Sequence, residues 1–289
     1  MNADAVTQLA LEPLDKLNKA GWHNTVSLMR GVFLPYKKIG NTKLYKDFIA
    51  SKRTLSRENN HIEMTVTMHP LTQIHANILD VMMTKLNSEV SGDGYMYVEC
   101  SLYELQNQLG FEWKNDTKAI TKFLSQMVEA TIWIKNKTSN VSYAFHIIEK
   151  FYKEESTGKF IIVFASDFIK SYFKDMLINY RPLVDTILSF KYPVNQAMAR
   201  FIISQKHINI SIMNLLQAIG IDIANLSRKE KSKLIKHVLN EEEKEVFGKL
   251  GIAITRDDTF VYAKNQQNKK KVYFSNKLKG LNPIGEELK

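Results

Sequence analysis

The chain is short of the residues and runs that several protein classes require. It has one cysteine, Cys100, in 289 residues. A single thiol excludes an intrachain disulfide and a cysteine-based zinc finger, and it fits a reducing cytoplasm. No apolar run approaches the roughly 20 residues needed to span a bilayer. The opening MNADAVTQLALEPLDK has no basic region ahead of an apolar one, so no signal peptide is expected. Glycines meet in SGDGY, Ser91–Tyr95, but no GK[ST] follows and no helix opens there, which argues against a phosphate loop or a Walker-type ATPase. His146 and His207 each stand singly in apolar alternation, without the paired metal-binding histidines of a rolling-circle nickase. The acidic pairs Glu154-Glu155 and Asp257-Asp258 sit in turn-like sequence, where adjacent side chains point apart. Nothing beside Cys100 would lower its pKa. The expectation is a protein that is not an enzyme and holds no metal or cofactor.

What is abundant is positive charge, unevenly spread. The net charge is +10 and the apolar fraction 44%, enough for real cores. The length suits about two domains. Residues 181–289 hold 19 Lys and Arg against 11 Asp and Glu, a net of +8. Residues 63–180 hold 11 against 14, a net of −3, and residues 1–62 hold 10 against 5. A surface for a polyanion is therefore expected mainly in the C-terminal half, the plain alternative being an unevenly solvated surface.

Along the chain, residues 1–62 carry little pattern. Asp4–Ala20 has amphipathic spacing broken by Pro13, Trp22–Ile39 mixes aromatic and basic residues, and SKRTLSRENN at Ser51–Asn60 reads as a polar, basic linker. This extension suits either an arm on DNA or a partly flexible segment. Next come a strand at His61–Met68 and a helix introduced by Pro70, with Ile74, Ile78, Val81, Met82 and Leu86 on one stripe. A strand at Tyr95–Glu99 leads to SLYELQNQLG, Ser101–Gly110, with Ser101 as N-cap and Gly110 closing the helix. The following helix, Asn115–Ala130, turns Ile120, Phe123, Leu124, Met127 and Val128 inward. Lys114, Asn115, Thr117, Lys118, Thr121, Lys122 and Ser125 face outward, with the reach to meet bases or phosphates. Thr131–Asn136 and Val141–Lys150 read as a hairpin around KTSN, followed by a strand at Phe160–Phe164 and a short helix at Ser166–Phe173.

The order then repeats. A segment Arg181–Phe190 leads to a proline-initiated helix, Pro193–Lys206, and a strand, His207–Ile210. SIMNLLQAIG, Ser211–Gly220, matches SLYELQNQLG in form: serine first, apolar at the second, fifth and ninth places, glycine last. A helix from Ser227 to about Leu239 carries Arg228, Lys229, Lys231, Ser232, Lys233 and Lys236, with Glu230 placed for a capping box. Acidic Glu241–Glu243 gives way to Phe247-Gly248 and Leu250-Gly251, which mark a helix end. Strands at Ile252–Thr255, Phe260–Ala263 and Lys271–Phe274 follow, with Lys264, Lys269, Lys270 and Lys271 on the tip and return of the hairpin. A positive helix beside a positive hairpin is what a winged helix-turn-helix sets against DNA. The expected fold is α+β, with two tandem winged-helix domains, 63–180 and 181–275, an N-terminal extension 1–62 and a tail 276–289.

On these elements the chain resembles the replication initiator (Rep) proteins of theta-replicating plasmids. The resemblance covers Glu63–Ser275 and rests on the duplicated order, on HPLTQIHANILDVMMTKL opening the first unit and on FKYPVNQAMARFIISQKH opening the second. It implies double-stranded DNA with direct repeats (iterons) as the partner, with Lys114–Ser125 and Ser227–Lys236 at base edges. It also implies recruitment of the host helicase-loading machinery, a monomer active at the origin, a homodimer repressing its own gene, and a cytoplasmic place on plasmid or nucleoid. The acidic balance of residues 63–180 departs from equal DNA contact by both units. The alternative is a winged-helix transcriptional regulator with no replication role.

Overall fold

The computed structural model describes residues 32–37, 39–40, 43–58, 62–86, 88–90, 95–110, 117–137, 142–169, 183–205 and 207–263. The helix expected at 4–20, the strand at 271–274 and the tail from 276 lie outside them.

Helix α1 (Lys43–Ala50) and strands β1 (Thr54–Glu58) and β2 (Ile62–Thr67) open the described fold. Helix α2 (Gln73–Thr84) follows, and all but one of its residues are buried. Strands β3 (Ser88–Val90) and β4 (Met96–Cys100) lead to α3 (Leu102–Leu109) and α4 (Thr117–Glu129). Strands β5 (Thr131–Asn136), β6 (Ser142–Phe145), β7 (Ile148–Lys153) and β8 (Phe160–Phe164) complete the first half. The second half holds α5 (Val184–Leu188), α6 (Pro193–Ser204), β9 (His207–Ser211) and α7 (Ile212–Ala218). It ends with α8 (Arg228–Val238), α9 (Glu241–Lys249), β10 (Ala253–Ile254) and β11 (Thr259–Ala263).

The architecture is α+β, with three antiparallel sheets among the described residues, in the orders β1-β2-β5-β6, β3-β4-β8-β7 and β10-β11-β9. Two of them share a wiring. Strand β4 precedes α3 and pairs with β8, which also pairs with β7; strand β9 precedes α7 and pairs with β11, which also pairs with β10. The matched decapeptides hold equivalent places: Ser101 Oγ accepts the Glu104 N–H at 3.0 Å, and Ser211 Oγ accepts the Asn214 N–H at 3.4 Å. Each ends in a glycine with positive φ, Gly110 at 98° and Gly220 at 88°, a conformation that disfavours a side chain.

Two sequence readings are corrected. The stretch 51–60 is not a linker along its length: Thr54–Glu58 is β1, paired residue for residue with β2. Its polar side chains gave no apolar alternation, but backbone pairing does not require one. Val141–Lys150 is not one strand of a hairpin. It divides at His146-Ile147, where consecutive Ile147 and Ile148 are both buried, so β6 joins β5 while β7 joins β8. The hairpin of the first half that corresponds to β10–β11 is thus β7–β8. The helix end expected at Phe247-Gly248 and Leu250-Gly251 closes a helix that Glu241–Glu243 opens, α9, capped by Asn240 Oδ1 accepting the Glu242 N–H at 2.9 Å; carboxylates in a first turn suit the positive end of the helix dipole.

Among the described residues an apolar cluster runs through both halves. Helices α2 and α6 meet within it, and Arg200 on α6 reaches Asp80 on α2 at 3.0 Å (Nε) and 2.7 Å (Nη2). Both side chains are 4% exposed. Among the described residues no helix is long and apolar enough to cross a membrane.

His75 anchors the start of α2 against α4. Its Nδ1 accepts the Thr72 N–H at 3.0 Å, its Nε2 meets Gln126 Oε1 at 3.0 Å, and Phe123 packs edge-on at 5.0 Å. Burial, against the supporting Gln126 bond, pushes its pKa down from 6.5 to about 4. The ring is therefore neutral when folded and takes a proton near pH 6.5 when unfolded. Its contribution is complete above pH 6.5 and is lost as pH falls toward 4, reaching about 3 kcal/mol. Urea unfolding across that window should show wild type losing stability more steeply than His75→Gln. Parallel curves would remove His75 as the cause.

Candidate nucleic-acid interface

Helix α8 is built as its sequence asks. Ser227 Oγ accepts the Glu230 N–H at 3.3 Å, and Glu230 Oε2 takes the Ser227 N–H at 2.8 Å and its hydroxyl at 2.6 Å. These bonds hold the Glu230 carboxyl below its ordinary pKa. The one acid of the helix is thereby committed to the cap. Removing the cap with Ser227→Ala should cost about 1 kcal/mol, visible as faster amide exchange at Glu230; unchanged exchange would mean that the cap is idle.

The helical period sorts the cations. Arg228, Lys229, Ser232, Lys233 and Lys236 share the outward arc and are all exposed. Lys231 falls on the other side with Leu234, Ile235 and Val238, and it is half-buried. Among the described residues none of the cations of α8 lies within ion-pairing distance of a carboxylate. The last turn of the helix is fixed from outside: His237 stacks on Tyr192 at 4.6 Å and 7°, and Val238 is buried. Lys191 Nζ lies 6.0 Å from the Tyr192 ring centre.

Helix α4 presents a weaker counterpart. Ile120, Leu124 and Met127 are buried, while Lys118 and Lys122 are exposed and Thr121 and Ser125 half-buried. Glu129 extends the same face and pairs with His69 at 2.5 Å, so this surface ends in an acid. The side chain of Thr117, and Lys114, Asn115, Lys264, Lys269, Lys270 and Lys271, lie outside the described residues. The β7–β8 turn mixes signs, Lys153 and Lys159 with Glu154 and Glu155, and Lys159 is occupied by Glu99 at 2.7 Å.

No family model matches the chain, and no curated protein matches it. It is similar to the solved domains 2 and 3 of RctB, with a TM-score of 0.46 and 12% identity. That match covers 64% of this chain and 75% of the other.

The residues weighed for catalysis have ordinary surroundings. Cys100 ends β4 fully buried; burial, then the charges of Glu104 and Glu99, push its thiol up to about 12. His146 Nδ1 lies 3.2 Å from the Ala130 carbonyl, and His207 is exposed at the start of β9. Asp257 lies in the β10–β11 turn, bonded to the Thr255 and Thr259 hydroxyls. Among the described residues no group of His, Cys, Asp and Glu is placed to hold a metal ion.

Sequence reasoning missed Tyr192, Asn195 and Glu243, which join the end of α8 and the start of α9 to the start of α6. Glu243 looked like one of a run of acids, yet it is 2% exposed. Its spacing to the buried Phe247 and Leu250, an inward stripe at helical period, was the signal that could have separated it from Glu241 and Glu242.

Proposed function

We propose that the chain is a sequence-specific double-stranded DNA-binding protein that initiates plasmid replication at repeated origin sites. The observation that carries this reading is the outward face of α8: four exposed cations, Arg228, Lys229, Lys233 and Lys236, flanking Ser232 and unmatched by any carboxylate partner among the described residues. Phosphate contacts supply affinity and position, and polar side chains at base edges supply sequence discrimination. The shared wiring of β4-β8-β7 and β9-β11-β10 supports two winged-helix units in tandem. In that arrangement the second unit is the main anchor and the first, through Lys118, Lys122, Thr121 and Ser125, a weaker contact. Lys264, Lys269, Lys270 and Lys271 extend the second unit's hold on the backbone, and Lys114, Asn115 and Thr117 that of the first.

The protein acts by binding and not by catalysis, without metal or cofactor. It works in the cytoplasm on plasmid or nucleoid, brings host helicase-loading proteins to the origin, and represses its own gene as a dimer. A winged-helix regulator without a replication role is favoured by one observation, the mixed charge of the β7–β8 turn. Footprints separate the two: protection of directly repeated sites of about 20 base pairs supports the initiator, while a single palindrome supports a symmetric regulator.

A further inference from the structure

The end of α8 and the start of α9 meet the start of α6 at one corner of the fold. Residues 191–195, which open α6, touch both the end of α8 and the start of α9. Lys191 N–H donates to Glu243 Oε1 at 2.9 Å, and Asn195 Nδ2 donates to Glu243 Oε2 at 2.5 Å. The same Asn195 nitrogen lies 3.5 Å from the Val238 carbonyl, in the last turn of α8. Beside it, Tyr192 stacks on His237 of that turn. Helix α6 has no cap of its own: Tyr192 stands at its N-cap with no side-chain bond, and Pro193 follows. The Glu243 carboxylate, arriving from α9, supplies the negative group that such a helix end favours. Among the described residues no cation pairs with it, and Asn195 is itself fully buried with its Oδ1 unbonded. A carboxylate buried away from water depends on the hydrogen bonds it keeps, so a shift of the corner that broke those of Asn195 and Lys191 while Glu243 stayed buried would be costly.

We propose that Glu243 is the positioning residue of the DNA-binding surface. It locks the α8–α9 corner onto the start of α6 and thereby fixes how the Lys229, Lys233 and Lys236 face is presented. This rests on the reading of α8 as the DNA-contacting helix, and the test keeps the two apart.

Glu243→Gln retains size but removes the charge and sets an amide against Asn195 Nδ2. Spin labels on Ser232→Cys of α8 and Asn209→Cys of β9, both exposed, report the helix direction without DNA. Cys100 is buried and leaves the label to the new sites. The expected result is an unchanged far-ultraviolet dichroism spectrum with a shifted or broadened distance distribution. Affinity for a mixed-sequence duplex of about 30 base pairs should fall about tenfold, with the salt slope reduced by about one to two. A lower melting temperature with wild-type distances and slope would show a merely structural residue and overturn the proposal. A shifted distance with wild-type affinity would uphold the lock and remove α8 from DNA contact. Should Glu243→Gln fail to fold, Glu243→Asp keeps the charge and shortens the reach, and the same readouts decide with the same signs.

Discussion

Replacing Arg200 by methionine is expected to destabilise the fold by about 3–5 kcal/mol, among the largest effects of any single change. Arg200 is 3% exposed and its guanidinium uses every nitrogen. Nε and Nη2 reach Asp80, Nη2 also reaches Asn77 Oδ1 at 2.6 Å, and Nη1 reaches Gln73 Oε1 at 2.5 Å. The network continues outward. Gln73 Nε2 donates to the Phe33 and Leu34 carbonyls at 3.2 and 3.3 Å. Asn77 Nδ2 donates to Gln196 Oε1 at 3.1 Å, and Gln196 Nε2 to the Phe190 carbonyl at 3.2 Å. Nearer the surface, Lys85 pairs with Asp185. Losing Arg200 would take from a buried carboxylate and two amide oxygens the donor they share, which is where the cost arises. Removing both charges with Arg200→Met and Asp80→Asn should recover much of it, since a pair contributes less than its broken half costs. Chemical denaturation of the two singles and the double measures this directly. A loss below about 1 kcal/mol for Arg200→Met would mean that the network is not closed in solution.

Neither Arg200 nor Asp80 could have been picked out in advance. Each is a charged residue at helical spacing, and a solvated face is the ordinary reading of such a residue. Elements whose apolar period is complete within one segment were legible: α2 from Ile74, Ile78, Val81 and Met82, and β8 as Phe160–Phe164. So were helix ends fixed by local chemistry, Ser101, Ser211 and Ser227. What escaped depends on partners distant in the chain. Strand β1 owes its existence to β2, and the break at His146 to the demands of two different sheets. On α8 the run of basic residues was plain, but its orientation was not. Leu234, Ile235 and Val238 define the inward side, and that side also takes Lys231.

That orientation gives the second large effect. Charge reversal of Lys229, Lys233 and Lys236 together should lower DNA affinity by about a thousandfold near 0.1 M salt, because each phosphate contact carries released counterions and a slope of about 0.9. All of them are exposed, so the fold should be unaffected. Lys231→Glu alone is expected to act differently, lowering stability through its half-buried position more than it lowers binding. Reversal at Lys118 and Lys122 should weaken binding about tenfold at most, since Glu129 already shares that face. Fluorescence anisotropy across a salt series distinguishes these outcomes. Wild-type affinity in the triple variant would exclude α8 from the interface.

The most direct test of DNA recognition is selection of bound sequences from a pool of random duplexes, followed by a footprint on the enriched site. The account predicts one enriched sequence without internal twofold symmetry, protected by wild type and not by the triple α8 variant. A selected pool indistinguishable from the starting pool would contradict it.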